Sequence, residues 1–246
     1  MPPMDADQLR QYLEFYQDLG IKTLYRRGEA AVPEPRPEAP SPIPVMAEAP
    51  KSEAPKSESL LQIMQDIGDC KRCRLHEARH KIVFGVGDEH APLVFVGEGP
   101  GADEDAQGIP FVGRAGQLLT QMIEGTAKKE GIPLQRADVY ICNVVKCRPP
   151  ENRTPEPDEM EICGQFLYRQ LVTLAPKAIC VLGGTAAKAI TGHKEGVTKM
   201  RGKWFKWRDI PVMVTYHPSY LLRAYNQEAK REAWEDLKKV LHFVYD

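Results

Sequence analysis

The chain of 246 residues lacks any run of about 18 apolar residues, so a membrane-spanning helix is not expected. Its opening residues, Met1-Pro2-Pro3-Met4-Asp5, have neither the basic nor the apolar region of a signal peptide, and the expected compartment is the cytoplasm. It also lacks an excess of either charge: 33 Lys and Arg stand against 34 Asp and Glu. Bulk electrostatics therefore gives no sign of a nucleic-acid partner, and any phosphate-binding surface must be local. Cysteine is sparse, with six residues. In a reducing compartment these are not expected to pair as disulfides, so their spacing carries the information.

What is present divides into three parts. Residues 5–19 place Leu9, Tyr12, Leu13, Tyr16 and Leu19 at helical spacing, with Asp5 or Asp7 able to cap the start and Gly20 the end. A helix this short within 1–27 either docks on the main body or binds a partner. Residues 28–59 contain eight prolines interleaved with Ala, Glu and Ser, and "EAPKSEAPKSES" is a short imperfect repeat; the composition predicts a disordered linker. From Leu60 to Asp246 the pattern is that of a folded domain.

In that domain, apolar runs at 93–96, 139–145, 178–182 and 212–215 predict buried strands. Helical patterns cover 116–130, 157–174, 185–191 and 227–243. Alternation of this kind predicts a parallel sheet of four strands covered on both faces. Ligands in such folds bind beyond the carboxyl ends of the strands. Those ends run into Gly97-Glu98-Gly99-Pro100-Gly101, Asn143, Gly183-Gly184 and His217-Pro218-Ser219, so four polar or glycine-rich turns are expected to line one edge.

Cys70 and Cys73 form a C-x2-C pair, and Cys147 and Cys163 are separated by fifteen residues. Two near and two distant thiolates can supply four soft ligands for zinc or an iron–sulfur cluster, and spacing does not separate the two. The alternative is that the cysteines are small buried hydrophobes, the preferred reading for Cys142 and Cys180 within apolar strands. Between Lys194 and Arg208, six basic residues and one acidic residue are interleaved with Trp204, Phe205 and Trp207. That stretch suits either a nucleic-acid surface or an ordinary β-hairpin with an apolar underside.

Three blocks, "GEGPGADEDAQGIPFVGRAGQLL" (97–119), "NVVKCRPPENRTPEPDE" (143–159) and "HPSYLLR" (217–223), resemble the family 4 uracil-DNA glycosylases, the iron–sulfur branch of their superfamily. The resemblance runs from about Leu60 to Asp246 and does not cover residues 1–59. It implies a three-layer α/β/α fold and a 4Fe-4S cluster held by Cys70, Cys73, Cys147 and Cys163, with a structural role. It also implies hydrolysis of the N-glycosidic bond of deoxyuridine in single- or double-stranded DNA, after the base is flipped into a pocket.

The tasks of that reaction distribute over the chain. His217 is expected to donate to uracil O2 as charge builds there, and Glu98 to stabilise the sugar or orient water. Relatives often have Ala where this chain has Gly99, which bears on the turn around Glu98. Asn143 can complement the N3–H and O4 edge of uracil, and Phe111 can stack on the flipped base. Gly99 and Gly101 would let backbone N–H groups approach the substrate, and Glu104 resembles a family pocket residue. Ser219 is expected on a phosphate, with Leu221 and Leu222 as an apolar wedge flanked by Arg223.

A related branch that becomes covalently trapped on uracil-DNA uses a His in an Arg-rich insert. Cys147-Arg148-Pro149-Pro150-Glu151-Asn152-Arg153 has neither, so turnover is expected. The competing readings are a non-enzymatic iron–sulfur or zinc module that binds DNA, or a glycosylase for another deaminated base. A monomer is expected, and residues 5–19 are a candidate contact for a replication or repair protein.

Overall fold

The computed structural model describes residues 58–223 and 226–246. The expected helix at 5–19 and all but the end of the 28–59 linker lie outside the described residues. Among those described, six strands form one sheet in the order β1-β3-β2-β4-β6-β5. They are β1 (Val86–Gly87), β2 (Leu93–Gly97), β3 (Tyr140–Asn143), β4 (Ala178–Leu182), β5 (Trp204–Trp207) and β6 (Ile210–Thr215). The four expected strands make the parallel centre, β3-β2-β4-β6. The expectation of four strands is corrected by two antiparallel edges, β1 on β3 and β5 on β6. One is only two residues long, and the other alternates exposed Trp204 and Lys206 with half-buried neighbours; neither makes a long apolar run.

The central strands are buried on both faces, which is why they read as unbroken apolar runs. Val94, Val96, Ile179, Val181, Val212 and Val214 pack on one side with α1 (Leu60–Ile67), α4 (Pro157–Leu174) and α5 (Gly184–Thr191). Leu93, Phe95, Ile141, Cys180, Leu182 and Met213 pack on the other with α3 (Arg114–Lys129) and α8 (Gln227–Tyr245). Cys142 and Cys180 are fully buried within these layers, as expected of small hydrophobes. Three short helices complete the set: α2 (Ala102–Gln107), α6 (Val197–Met200) and α7 (Pro218–Leu221).

Local chemistry sets the boundaries. A capping box closes the start of α1, where Ser59 Oγ accepts from the Gln62 amide and Gln62 returns the bond to the Ser59 amide. Pro157 begins α4 at the position where its missing N–H costs nothing, and Glu159 accepts from the Glu156 amide at 2.8 Å. The aromatic end of the basic–aromatic stretch forms the first strand of the β5–β6 hairpin, where Trp207 stacks on Tyr168, Phe205 meets His193, and Trp204 lies against Phe243. No helix among the described residues is long and apolar enough to cross a membrane.

Candidate active site

The ends of β2, β3, β4 and β6 open into one cavity of about 460 Å³. Glu98, Gly99, Gly101, Glu104, Phe111, Asn143, His217 and Ser219 all line it, so residues distant in sequence meet as the strand-end rule requires. The Gly183-Gly184 turn and the Pro149–Arg153 loop complete its wall.

Asn143 ends β3 and is 1% exposed, yet its Oδ1 has no hydrogen-bond partner. A buried amide oxygen left unpaired costs roughly 1–3 kcal/mol, so this atom is reserved for something that enters the cavity. Phe111 lies over the same floor, its ring centroid 5.6 Å from that of His217. Its backbone is left-handed, φ 53°, which is rare and strained for an aromatic residue.

The surroundings crowd closely about Phe111. A Cβ at Gly116 would strike the Phe111 carbonyl, and a Cβ at Gly97 would stand 2.5 Å from Phe111 Cζ and collide with Asn143 Oδ1. Arg136 donates to the Pro110 carbonyl at 2.8 Å. Glu104 accepts from the Val112 and Gly113 amides, each at 2.9 Å, and from the Gly101 amide at 3.1 Å. Glu104 does line the cavity, but both its oxygens are engaged by backbone donors; its carboxylate shapes the wall.

His217 caps α7, and its Nδ1 accepts from the Ser219 amide at 3.2 Å, with Ser219 Oγ 2.8 Å away. In a neutral ring this bond puts the proton on Nε2, leaving a donor for the cavity. Burial pushes the imidazole down to about 4, against the pull of the Glu104 charge, so the ring is uncharged at neutral pH. Glu98 follows directly on β2 and lines the same wall.

One expected contact is corrected. Leu221 is 1% exposed and packs with Tyr216, Ala229 and Ala233, because the single turn of α7 points it inward. It is not available to enter a base stack. Leu222 and Tyr220 are the exposed apolar side chains of this turn, and Arg223 lies 5.9 Å over the Tyr220 ring.

A second, narrower cavity is lined by Cys70, Cys73, Cys147 and Cys163, together with Ile67, Arg79, Ile82, Lys146 and Phe166. The two halves of the cysteine set, far apart in sequence, therefore converge. Burial pushes the Cys163 thiol up to about 12 and raises Cys147 and Cys73. Arg79 donates to the Cys70 carbonyl at 2.5 Å and approaches Cys147 Sγ at 3.6 Å, and the Lys146 amide donates to Cys163 Sγ at 3.2 Å. Among the described residues, no three Cys, His, Asp or Glu side chains are grouped closely enough for a single ion. Four soft donors around a shared space suit a zinc ion or an iron–sulfur cluster. From Cys147 the chain passes the active cavity at Arg153, which holds buried Glu159 with two bonds of 2.8 and 2.6 Å, before reaching Cys163.

Sequence reasoning placed Gly97 at a strand end without its close contacts, and missed Gly116, Arg136 and Lys146. The glycine-rich turn was the signal for a close approach at Gly97; the other three left no signal, since their roles depend on contacts across the fold.

Residues 84–238 match the family model described as the Uracil DNA glycosylase superfamily. The Type-4 uracil-DNA glycosylase of Thermotoga maritima is 46% identical over 190 residues, which are 76% of this chain and 96% of that protein. Type-4 uracil-DNA glycosylases of Archaeoglobus fulgidus and Sulfurisphaera tokodaii are 43% and 44% identical, covering 74% of this chain and 92% and 84% of those proteins. With the sheet order, the strand-end cavity and the family match in agreement, the chain belongs to the uracil-DNA glycosylase superfamily.

Proposed function

We propose that this protein hydrolyses the N-glycosidic bond of deoxyuridine in DNA, releasing uracil and leaving an abasic site. The observation that carries the reading is the unpaired Oδ1 of buried Asn143 on the floor of a cavity shared with Phe111 and His217. Uracil offers an N3–H donor beside the O4 acceptor, and one amide presents the complement of both. Cytosine reverses that edge and would leave buried groups unpaired, which is a strong ground for rejection.

Base flipping brings uracil under Phe111, whose strained backbone holds the ring in place before the substrate arrives. As the glycosidic bond lengthens, negative charge collects on the base. Neutral His217 then donates from Nε2 to O2, in the manner of an oxyanion donor. Glu98 faces the opposite charge, on the sugar, and orients the water that adds there. Ser219 holds the His217 tautomer and stands at the rim for a phosphate, with Leu222, Tyr220 and Arg223 positioned to fill the emptied stack.

The four thiols fit a 4Fe-4S cluster, held by Cys70, Cys73, Cys147 and Cys163. Such a cluster supplies positive charge that keeps buried sulfurs as thiolates and cross-links the chain. In this reading it is structural, and no step of the hydrolysis passes through it. The enzyme is read as a cytoplasmic monomer, a compartment in which six cysteines are not expected to pair as disulfides. Residues 5–19, with their apolar stripe, recruit a replication or repair protein.

The test is release of uracil from a labelled oligonucleotide with one U, scored as alkali-sensitive cleavage, with His217→Ala alongside. Wild-type protein cleaves, and the variant loses about 10²–10³-fold in rate while still unfolding cooperatively from a folded state. No cleavage by an iron-loaded preparation overturns the reading.

A further inference from the structure

Lys146 is 1% exposed, and a buried ammonium is costly unless its donors are engaged. A methionine would fill similar space without that cost. Its Nζ donates to the Asn143 carbonyl at 2.8 Å and to Gln170 Oε1 at 2.6 Å. Gln170 passes the connection on, donating to the Phe84 carbonyl at 3.1 Å and reaching the Tyr140 hydroxyl at 3.4 Å. Both ends of this chain of bonds are informative. Asn143 carries the unpaired amide of the active cavity. Gln170 lies seven residues after Cys163 on α4, hence on the same helical face.

The same lysine touches the thiol site directly. Its main-chain amide donates to Cys163 Sγ at 3.2 Å, the residue lines that cavity, and the next residue is Cys147. The Asn143 carbonyl stands where β3 ends and the strand ladder no longer supplies a donor, so the Lys146 side chain closes it. A residue three positions on thus folds back to hold the strand end whose side chain faces the substrate.

We propose that Lys146 is a positioning residue through which the four-thiol site holds the Asn143 amide in register with the base. The inference rests on reading Asn143 as the base-recognition group. Disturbance at the thiol site is then felt first as weaker grip on uracil, with the hold on DNA backbone unaffected.

The test uses the full chain with its iron loaded, comparing wild type, Lys146→Met, Gln170→Met and Asn143→Ala. Four quantities are read: iron content with visible absorbance, KM and kcat for uracil release, inhibition by free uracil, and affinity for DNA containing an abasic-site analogue. Lys146→Met is expected to keep its iron and bind abasic DNA within about twofold of wild type. Its inhibition by uracil weakens about tenfold or more and kcat falls by a similar factor, the effect of unpairing a buried carbonyl.

A loaded Lys146→Met protein that uracil inhibits as it does wild type overturns the proposal. So does an equal loss of uracil and abasic-DNA affinity, which would mark a general structural role. Should Lys146→Met fail to load, Gln170→Met decides. Uracil inhibition weakened about threefold with DNA affinity kept supports the proposal, and unchanged inhibition overturns it. Asn143→Ala is the separate control: undiminished uracil inhibition there removes the reading of Asn143, and the proposal with it.

Discussion

The two cavities lie on one chain and are built on opposite terms. The thiol cavity is over-connected: Arg79, the Lys146 amide and both halves of the cysteine set bind into it, and every backbone group named there has a partner. The strand-end cavity is under-connected in the places that matter. It keeps an unpaired amide oxygen at Asn143 and an aromatic residue at φ 53°, held there by surrounding parts. The contrast teaches where this fold is rigid and what the rigidity serves. Asn143 and Phe111 are held in states that folding alone would avoid, which the surrounding fold must offset.

Removing a thiol attacks the connected side and has the largest effect. Cys147→Ala is expected to lose iron and fail to fold stably, measured as soluble yield and a melting temperature far below wild type. Full activity and stability without iron would erase the contrast. Next in size is the inward-facing residue of the α7 turn. Leu221→Ala removes a fully buried side chain and should cost about 2–5 kcal/mol in denaturant unfolding. Its neighbour Leu222 is exposed, so Leu222→Ala leaves stability unchanged and slows release from duplex DNA only a few-fold.

Acid probes the under-connected side. His217 titrates near 4 when folded and near 6.5 when unfolded, so between those values the unfolded chain binds more protons. Stability from this group is therefore present above about pH 6.5 and falls as the pH drops toward 4, by at most about 3 kcal/mol. His217→Gln should flatten that part of the stability–pH curve. The smallest global change comes from Gly97→Ala, which presses on Phe111 and the Asn143 oxygen. A loss of about tenfold in uracil release, or roughly 1.4 kcal/mol, with little change in melting would sharpen the comparison. A large fall in melting temperature would blur it.

Much of this was legible in the sequence, for identifiable reasons. Helix α4 and strand β4 were readable at both boundaries because Pro157 marks a helix start and 178–182 is an unbroken apolar run between breaks. The cavity residues were legible because strand ends in parallel sheets converge, and three of the four ends carried distinctive residues, Glu98, Asn143 and His217. What failed was orientation. Leu221 and Leu222 are adjacent and chemically alike, and only the turn of α7 decides which one reaches solvent. Lys146 was invisible because a lysine after a strand reads as a solvated surface residue; its burial depends on Gln170 arriving from α4. Cysteine spacing left zinc and iron–sulfur open, since the distance between ligand pairs is a property of the fold.

Among the described residues nothing pairs with the outer side of β5, which bears on crowding rather than catalysis. It is an outer strand of the sheet with exposed Trp204, an arrangement that invites a second chain to add itself as the next strand. Lys206 sits in the middle of that strand and exposed, with Lys203 just before it and Arg208 just after. Two copies approaching edge to edge would bring these cations face to face, so the strand repels its own image. Substituting Lys206 with an uncharged β-former is expected to lower the concentration at which the protein begins to aggregate, as loss of an edge-strand cation would.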